Sequence, residues 1–301
     1  MLAITVFVGG LSIYEVDKFV RIQTETLIDA TCEKEATQIN SIFADMEKSV
    51  RIIESYVLAL VENGGGIADR DRQNEIIEYA DGMFADVAKH TDSAIAYYLR
   101  FAPEISDDQA GLFYSKMDSG DEYIRLEPTN LSLYDKDDTE HVGWFWQTYE
   151  AGEPVWMQPY QNLNNGVLMI SYVVPLYYEN RFIGIVGMDF DYTVLTDRVH
   201  EIKIYENGFA HLETDGKVMH HGGDASDPDD FGASDQYLRV SRQLVNGITL
   251  VLSASYDDIR QVRYDIAFKL LFAVLVLAAL FSVIVIFVVR KIVDPLKKLW
   301  K

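Results

Sequence analysis

Between Tyr14 and Asn63 apolar residues return at helical spacing: Val16, Phe19 and Val20, then Ile39, Ile42, Phe43 and Met46, then Val50, Ile53, Val57 and Leu60. No Pro or Gly interrupts this run. The pattern predicts one helix of about 75 Å at about 1.5 Å per residue, stopped by Gly64-Gly65-Gly66. A helix of that length can run along the side of two stacked small domains. A second helical period covers roughly Asp71 to His90.

The period then shortens to that of strands. Ala94–Phe101 and Gly111–Lys116 are β-like runs, and Asp118–Asp138 reads as a polar loop carrying a short strand. Trp144–Ala151 reads as a short helix ended by Gly152. Asn164-Asn165-Gly166 is a hairpin signal joining the region of Val155–Pro159 to Val167–Tyr177, and Glu179-Asn180 turns the chain into Arg181–Asp191. These runs predict a five-stranded antiparallel sheet with helices on one face. After Val194–Tyr205 a smaller unit follows. One hairpin, Gly208–Glu213 with Lys217–His220, turns at Asp215-Gly216, and a second joins Tyr237–Leu244 to Ile248–Ser255 through Asn246-Gly247. The predicted class is α+β, with a long helix beside two sheet-bearing modules.

Asp257 opens a helix that leads into Leu270–Val289, a stretch without a charged residue and built almost wholly of Leu, Ile, Val, Phe and Ala. Such a stretch is long enough to cross a membrane. Arg290, Lys291, Lys297, Lys298 and Lys301 follow it against a single Asp294, which places the C-terminus in the cytoplasm. Met1–Ile13 is also uncharged. At about 20 Å it is short for a full span, and it reads as the outer part of a first transmembrane helix. The chain carries 26 basic and 47 acidic residues for a net charge of −21. Since the basic cluster lies after the apolar span, the body between the two helices is more acidic still. That argues against a nucleic-acid partner. The one cysteine, Cys32, excludes an intrachain disulfide and a Cys-based zinc cluster.

The element order resembles that of the double Cache sensor family: a membrane-emerging helix, a larger PAS-like module, a smaller one, and a second membrane helix. Two local signatures carry the resemblance. One runs Pro159-Tyr160, Ser171, Pro175-Leu176-Tyr177 and Gly184-Ile185-Val186-Gly187-Met188-Asp189; the other is Gly208 to Val218. Ile292-Val293-Asp294-Pro295-Leu296 resembles the opening of a HAMP linker. The resemblance divides the chain into the end of a transmembrane helix (1–13), a stalk helix (14–64), a membrane-distal ligand-binding module (65–196), a membrane-proximal module (197–265), a second transmembrane helix (266–290) and the linker (291–301). It implies a multi-pass protein of a bacterial cell membrane with its sensor region outside the cytoplasm, and a homodimer. The likeness of Ala96–Ser106 and Gly111–Lys116 to sensors of clostridia-like bacteria implies a diguanylate cyclase as output, ahead of a histidine kinase or chemoreceptor. Amino-acid sensors of the family carry an Arg-x-Trp-Tyr segment, a later Tyr and a later Asp. Trp144, Tyr160 and Asp189 match these and Phe145 fills the aromatic Tyr position without its hydroxyl, while Val142 stands at the Arg position and cannot clamp a carboxylate.

Residue chemistry points the same way. Asp189 interrupts an apolar β-run, and a buried carboxylate needs a partner. Trp144, Phe145, Trp146, Tyr149 and Tyr160 offer aromatic faces, each worth about 0.5–2 kcal/mol to a cation. A carboxylate among aromatics, without the family's Arg, favours an amine or ammonium ligand. Arg100, sharing a strand face with Tyr98, could instead bind an anionic group. His220-His221 and the Asp-rich loop after them lack metal-site spacing, and neither a metal nor a cofactor is expected. No G-x-S-x-G, phosphate-loop or H-E-x-x-H motif occurs, so no catalytic residue is expected. The expected function is extracytoplasmic sensing of a small molecule, the amine class favoured. Amino-acid or organic-acid sensing, a partner-binding ectodomain and an anchored enzyme are the alternatives.

Overall fold

The computed structural model describes residues 2–67, 69–91, 94–107, 109–116, 122–161, 166–221 and 236–293, with side chains left aside for residues 2–14, 220–221 and 292–293. Its organising element is α1 (Leu2–Asn63), one unbroken helix. From Val16 to Ala36 the buried positions of α1 fall on every fourth residue, through Val20, Thr24, Ile28 and Cys32. Each such step turns the buried stripe by about 40° around the axis. The stripe turns because its partners change, from the last helix of the chain to the smaller sheet. From Ile39 to Val57 the steps alternate between four and three residues, and the stripe stays on one side, against the larger sheet. The Gly64-Gly65-Gly66 stop has positive φ at Gly65 and Gly66, as helix termination by glycine requires.

After α2 (Arg70–Lys89), capped by the Asp69 side chain on Arg72 N, the chain forms β1 (Ala94–Phe101), β2 (Gly111–Lys116), β3 (Tyr123–Leu126), α3 (Thr139–Ala151), β4 (Val155–Trp156), β5 (Tyr160–Gln161), β6 (Leu168–Tyr178), β7 (Arg181–Asp191) and α4 (Tyr192–Glu201). The strands form a seven-stranded antiparallel sheet in the order β3-β2-β1-β7-β6-β4, with β5 also on β6. This differs from the predicted five strands in two ways. The short strand in the polar loop joins as β3, and the Val155–Pro159 region divides into β4 and β5. The β6–β7 connection is the expected two-residue turn, with Glu179 at φ 49° and Asn180 at φ 62°, the left-handed pair that matches strand twist. Asn164 and Asn165 lie outside the described residues.

Helices cover both faces of this sheet, not one. Tyr97, Leu99, Met188 and Phe190 pack toward α1 and α2, in one core with Phe43, Phe84 and Ile76. Ala96, Tyr98, Phe113, Val173 and Ile185 pack in a second core with Val142, Phe145 and Trp146 of α3. The sequence predicted a helix over Trp144–Ala151 but placed the helices on one face of the sheet. In the structure α3 begins at Thr139, because the Asp138 side chain caps the His141 N–H.

The smaller sheet has the order β10-β11-β8-β9, from β8 (Phe209–Thr214), β9 (Lys217–His221), β10 (Tyr237–Gln243) and β11 (Thr249–Ser255). Asp215 and Gly216 make its β8–β9 turn at φ 51° and 73°. One face buries Leu212, Leu250 and Leu252 against Ile28 and Cys32 of α1. Arg242 on β10 bonds Asp29 and Glu33 of α1 at 2.6 Å each. The segment between α4 and β8 is tied twice: the Thr24 and Tyr205 hydroxyls meet at 3.0 Å, and Asp258 accepts the Asn207 N–H at 2.8 Å and its amide Nδ2 at 2.5 Å. Asp258 belongs to α5 (Tyr256–Val288), which continues into a π-helical stretch, Val289–Val293. Within the described residues, Tyr256–Lys291 is the one helix long and apolar enough to cross a membrane. The first span expected before Tyr14 corresponds to backbone that is helical and continuous with α1. Of the linker-like segment only its first residues fall inside the described chain, and the Asp-rich loop 222–235 falls outside it.

Candidate functional site

Strand parity builds the site. On β1, alternate residues Tyr98 and Arg100 face α3, while Tyr97 turns to the α1–α2 side. Asp189 of β7 faces the α3 side too, and its partner in register across β6 is Ser171. Gly187 lies opposite Tyr98 in register. A Cβ there would come within 2.5 Å of the phenol ring, so glycine at this point lets Tyr98 lie flat on β7. From above, α3 lowers Trp144 onto Tyr98, with ring centres 5.3 Å apart and edge to face. The indole is fixed by its Nε1–H donating to the His141 carbonyl at 3.0 Å.

These groups enclose a pocket lined by Tyr98, Arg100, Phe113, Pro128, Thr129, Trp144, Tyr160 and Asp189. The space open to the centre of a water-sized sphere is about 20 Å³, room for a water molecule or two. A larger guest therefore requires the wall to give, and the irregular segment carrying Pro128 and Thr129 is the part of the wall outside sheet and helix.

A chain of hydroxyls runs along the pocket floor. The Ser171 hydroxyl donates to Asp189 Oδ1 at 2.6 Å and meets the Tyr160 hydroxyl at 2.8 Å. Asp189 is 1% exposed. Burial disfavours its charged form and raises its pKa to about 6, with Ser171 and Tyr98 offsetting part of the effect. The same burial, reinforced by the Asp189 charge, holds the Tyr98 and Tyr160 hydroxyls well above the usual phenol range. The floor thus presents one acidic acceptor, two phenols and a serine under an indole. It is suited to receive a hydrogen-bond donor carrying positive charge. Arg100, 1% exposed, lines the same pocket. Its partner in register is Ile185, four residues along β7 from Asp189, so the two charges stand toward opposite ends.

Of the residues singled out from sequence, Tyr98, Arg100, Trp144, Tyr160 and Asp189 come together at this pocket. Phe145, Trp146 and Tyr149 do not line it. Phe145 is fully buried in the core under α3. Trp146 lies under the Lys136 ammonium, 4.0 Å from the ring centre, and Tyr149 packs on Phe182 near the surface. Consecutive helix positions are about 100° apart, so with Trp144 aimed at the pocket its two successors point elsewhere. Val142, 0% exposed, is a core residue. Sequence reasoning missed Ser171 as a site residue, along with Phe113, Pro128 and Thr129. Ser171 had a legible signal, a lone serine inside an otherwise apolar and aromatic strand run. The irregular segment holding Pro128 and Thr129 had none.

Residues 82–197 match the family described as methyl-accepting chemotaxis protein-like, first PDC sensor domain. No curated protein matches the sequence. Among solved structures, the sensory domain of the Campylobacter jejuni chemoreceptor Tlp3 superposes with a TM-score of 0.58 at 13% identity, covering 81% of this chain and 98% of that one. The same domain with isoleucine bound matches equally, at TM-score 0.58 and 13% identity over 81% of this chain and 98% of that one. The extracellular domain of the histidine kinase candidate mmHK1S-Z3 gives 0.53 at 16% identity, covering 82% of this chain and 98% of that one. At these identities the likeness is one of fold.

Proposed function

We propose that this chain, whose architecture is that of a double Cache sensor, detects a small ammonium-bearing molecule outside the cytoplasm and passes the signal through the membrane. The observation that supports this is Asp189: a fully buried carboxylate whose charged form burial disfavours, on the floor of a pocket roofed by Trp144. A ligand ammonium would supply the missing counter-charge, with Tyr98 and Trp144 against its face and Tyr160 and Ser171 orienting the acceptor. Arg100 at the other end of the pocket supports a second reading, an α-amino acid whose carboxylate reaches the guanidinium. The isoleucine and L-valine complexes of the Tlp3 sensory domain agree with that size and class.

In this proposal residues 65–196 form the ligand-binding module and 197–265 the relay. Binding shifts the population between two arrangements of the distal module. Its α4 end, tied through Tyr205 and Asn207 to α1 and α5, hands the change to the helices as a small displacement. The helix around 270–289 crosses the membrane with the basic residues after it in the cytoplasm, and the segment before Tyr14 belongs to a first span. Two copies pair along α1, and residues 291–301 lead through a HAMP-type linker to an output, a diguanylate cyclase ahead of a kinase or chemoreceptor.

The test is a thermal-shift titration of the whole chain in lipid nanodiscs with primary amines, amino acids and organic acids as separate sets. Amines or amino acids should stabilise it, and Asp189→Asn should weaken that response at least tenfold. Loss of the amino-acid response alone in Arg100→Gln selects the second reading. Stabilisation by acids alone, untouched in Asp189→Asn, overturns both.

A further inference from the structure

Among the described residues, a cavity larger than the distal pocket lies outside the distal module. It lies between α1 and α5 just above the membrane span, with about 320 Å³ open to the centre of a water-sized sphere, against about 20 Å³ in the distal pocket. That falls within the range of small-ligand sites, roughly 300–1,000 Å³. Its walls are of three kinds. Arg21, Arg260 and Arg263 bring guanidinium groups; Asp17 and Glu25 bring carboxylates; Val20, Leu238 and Ile259 bring apolar surface. The charges are nearly balanced, in a protein with a net charge of −21. Two of the arginines already meet acids: Arg263 bonds Asp17 at 2.6 Å across the two helices, and Arg260 bonds Asp257 at 2.8 Å. Arg21 reaches only 3.9 Å from Glu25, with its side chain 72% exposed.

The height of the cavity is fixed by its neighbours on α5. Tyr264 and Phe268 are 65% and 70% exposed, and aromatic residues in such positions mark the membrane–water boundary. Arg263 precedes Leu270, the first residue of the uncharged run, by two helical turns, about 10 Å. The cavity therefore opens at the level of lipid headgroups.

We propose that this cavity holds the headgroup of a zwitterionic phospholipid, an ethanolamine phosphate ester, from the outer leaflet. Arg21 and Arg260 take the phosphate, Glu25 takes the ammonium, and Val20 and Ile259 face the glycerol end. Mixed charge favours this class over an anionic headgroup such as glycerol phosphate, whose neutral terminal hydroxyls would leave the Glu25 carboxylate without the counter-charge that an ammonium supplies. The lipid bridges the two helices that enter the membrane and braces them at the point where they must move.

The experiment uses the full chain in detergent micelles, titrated with dihexanoyl phosphatidylethanolamine, dihexanoyl phosphatidylglycerol and inorganic phosphate and followed by native mass spectrometry. The ethanolamine lipid should bind at least tenfold more tightly than the other two. Arg21→Ala combined with Arg260→Ala should lose that binding at least tenfold, while a circular-dichroism melt shows the fold retained. Glu25→Gln, which keeps all three arginines, should lose the preference for ethanolamine over glycerol. Equal or tighter binding of the glycerol lipid to the unaltered chain, equal binding of free phosphate, or ethanolamine-lipid binding unchanged in the double variant would each overturn the proposal.

Discussion

Asp189→Asn is expected to stabilise the ligand-free protein at neutral pH. Burial raises the folded-state pKa of Asp189 from 3.8 to about 6. A group with a raised folded pKa binds more protons folded than unfolded between those two values. Stability therefore falls as pH climbs through this window and stays lowered above it. A shift of about two units at about 1.4 kcal/mol each costs about 3 kcal/mol at pH 7.5. Asparagine keeps the shape and removes the charge. It also weakens the short bond from the Ser171 hydroxyl, a loss of about 1 kcal/mol relative to a charged acceptor. The net gain is about 2 kcal/mol, or an increase of about 4–8 °C in Tm. At pH 4 the gain should vanish, because the native carboxyl is then protonated. Thermal melts at pH 4 and 7.5, read by tryptophan fluorescence from Trp144, Trp146 and Trp156 in the distal module, measure both differences. A lower Tm for the variant at pH 7.5 would mean that a cation within the protein already satisfies Asp189, and the ammonium-pocket reasoning would fail.

Binding of a permanently charged ammonium ligand should strengthen about tenfold per pH unit as Asp189 ionises below pH 6 and level off above it; isothermal titration across pH 4.5–8 reads this, and a flat profile would remove Asp189 from the site. Gly187→Ala should cost about 1–3 kcal/mol and abolish the ligand response, because its methyl group lands within 2.5 Å of the Tyr98 ring; a denaturant melt and a thermal shift with ligand check the two effects, and a silent variant would show that Tyr98 need not lie on β7. Asp258→Ala removes the acceptor of two Asn207 N–H groups. It should cost about 2–4 kcal/mol, with faster hydrogen exchange around residues 205–210 as its local signature; unchanged exchange there would mean that the tie holds nothing in place.

Much of this arrangement was legible because period-two and period-3.6 patterns report faces directly. Parity on Ala94–Phe101 placed Tyr98 and Arg100 together and Tyr97 apart, and the turns at Glu179-Asn180 and Asp215-Gly216 are where their φ-tolerant residues put them. What escaped depends on contacts between segments distant in sequence. Ser171 matters through its register with Asp189, eighteen residues away. The first turns of α3 were hidden because their start is set by one capping carboxylate, Asp138, inside an acidic loop where any Asp could have served. Helices on both faces of the large sheet were missed because the face that α3 covers is set by its packing on β6 and β7 rather than by its own residues. Trp144, Phe145, Trp146 and Tyr149 could not be sorted until the rotation of α3 was known.

The continuous core-facing stripe of α1 restricts how this architecture can change over evolutionary time. One helix supplies core residues first to the small sheet and then to the large one. Inserting a single residue between Ala36 and Ile39 would rotate everything beyond it by about 100° and advance it by about 1.5 Å. Val50, Ile53 and Val57 would then leave the large sheet's core together. Seven inserted residues nearly restore the rotation but move the upper half by about 10 Å, so the loop between α4 and β8 would have to lengthen in step. Insertions and deletions should therefore be excluded from α1 beside the sheets and should gather in hairpin tips such as Glu179-Asn180 and Asp215-Gly216.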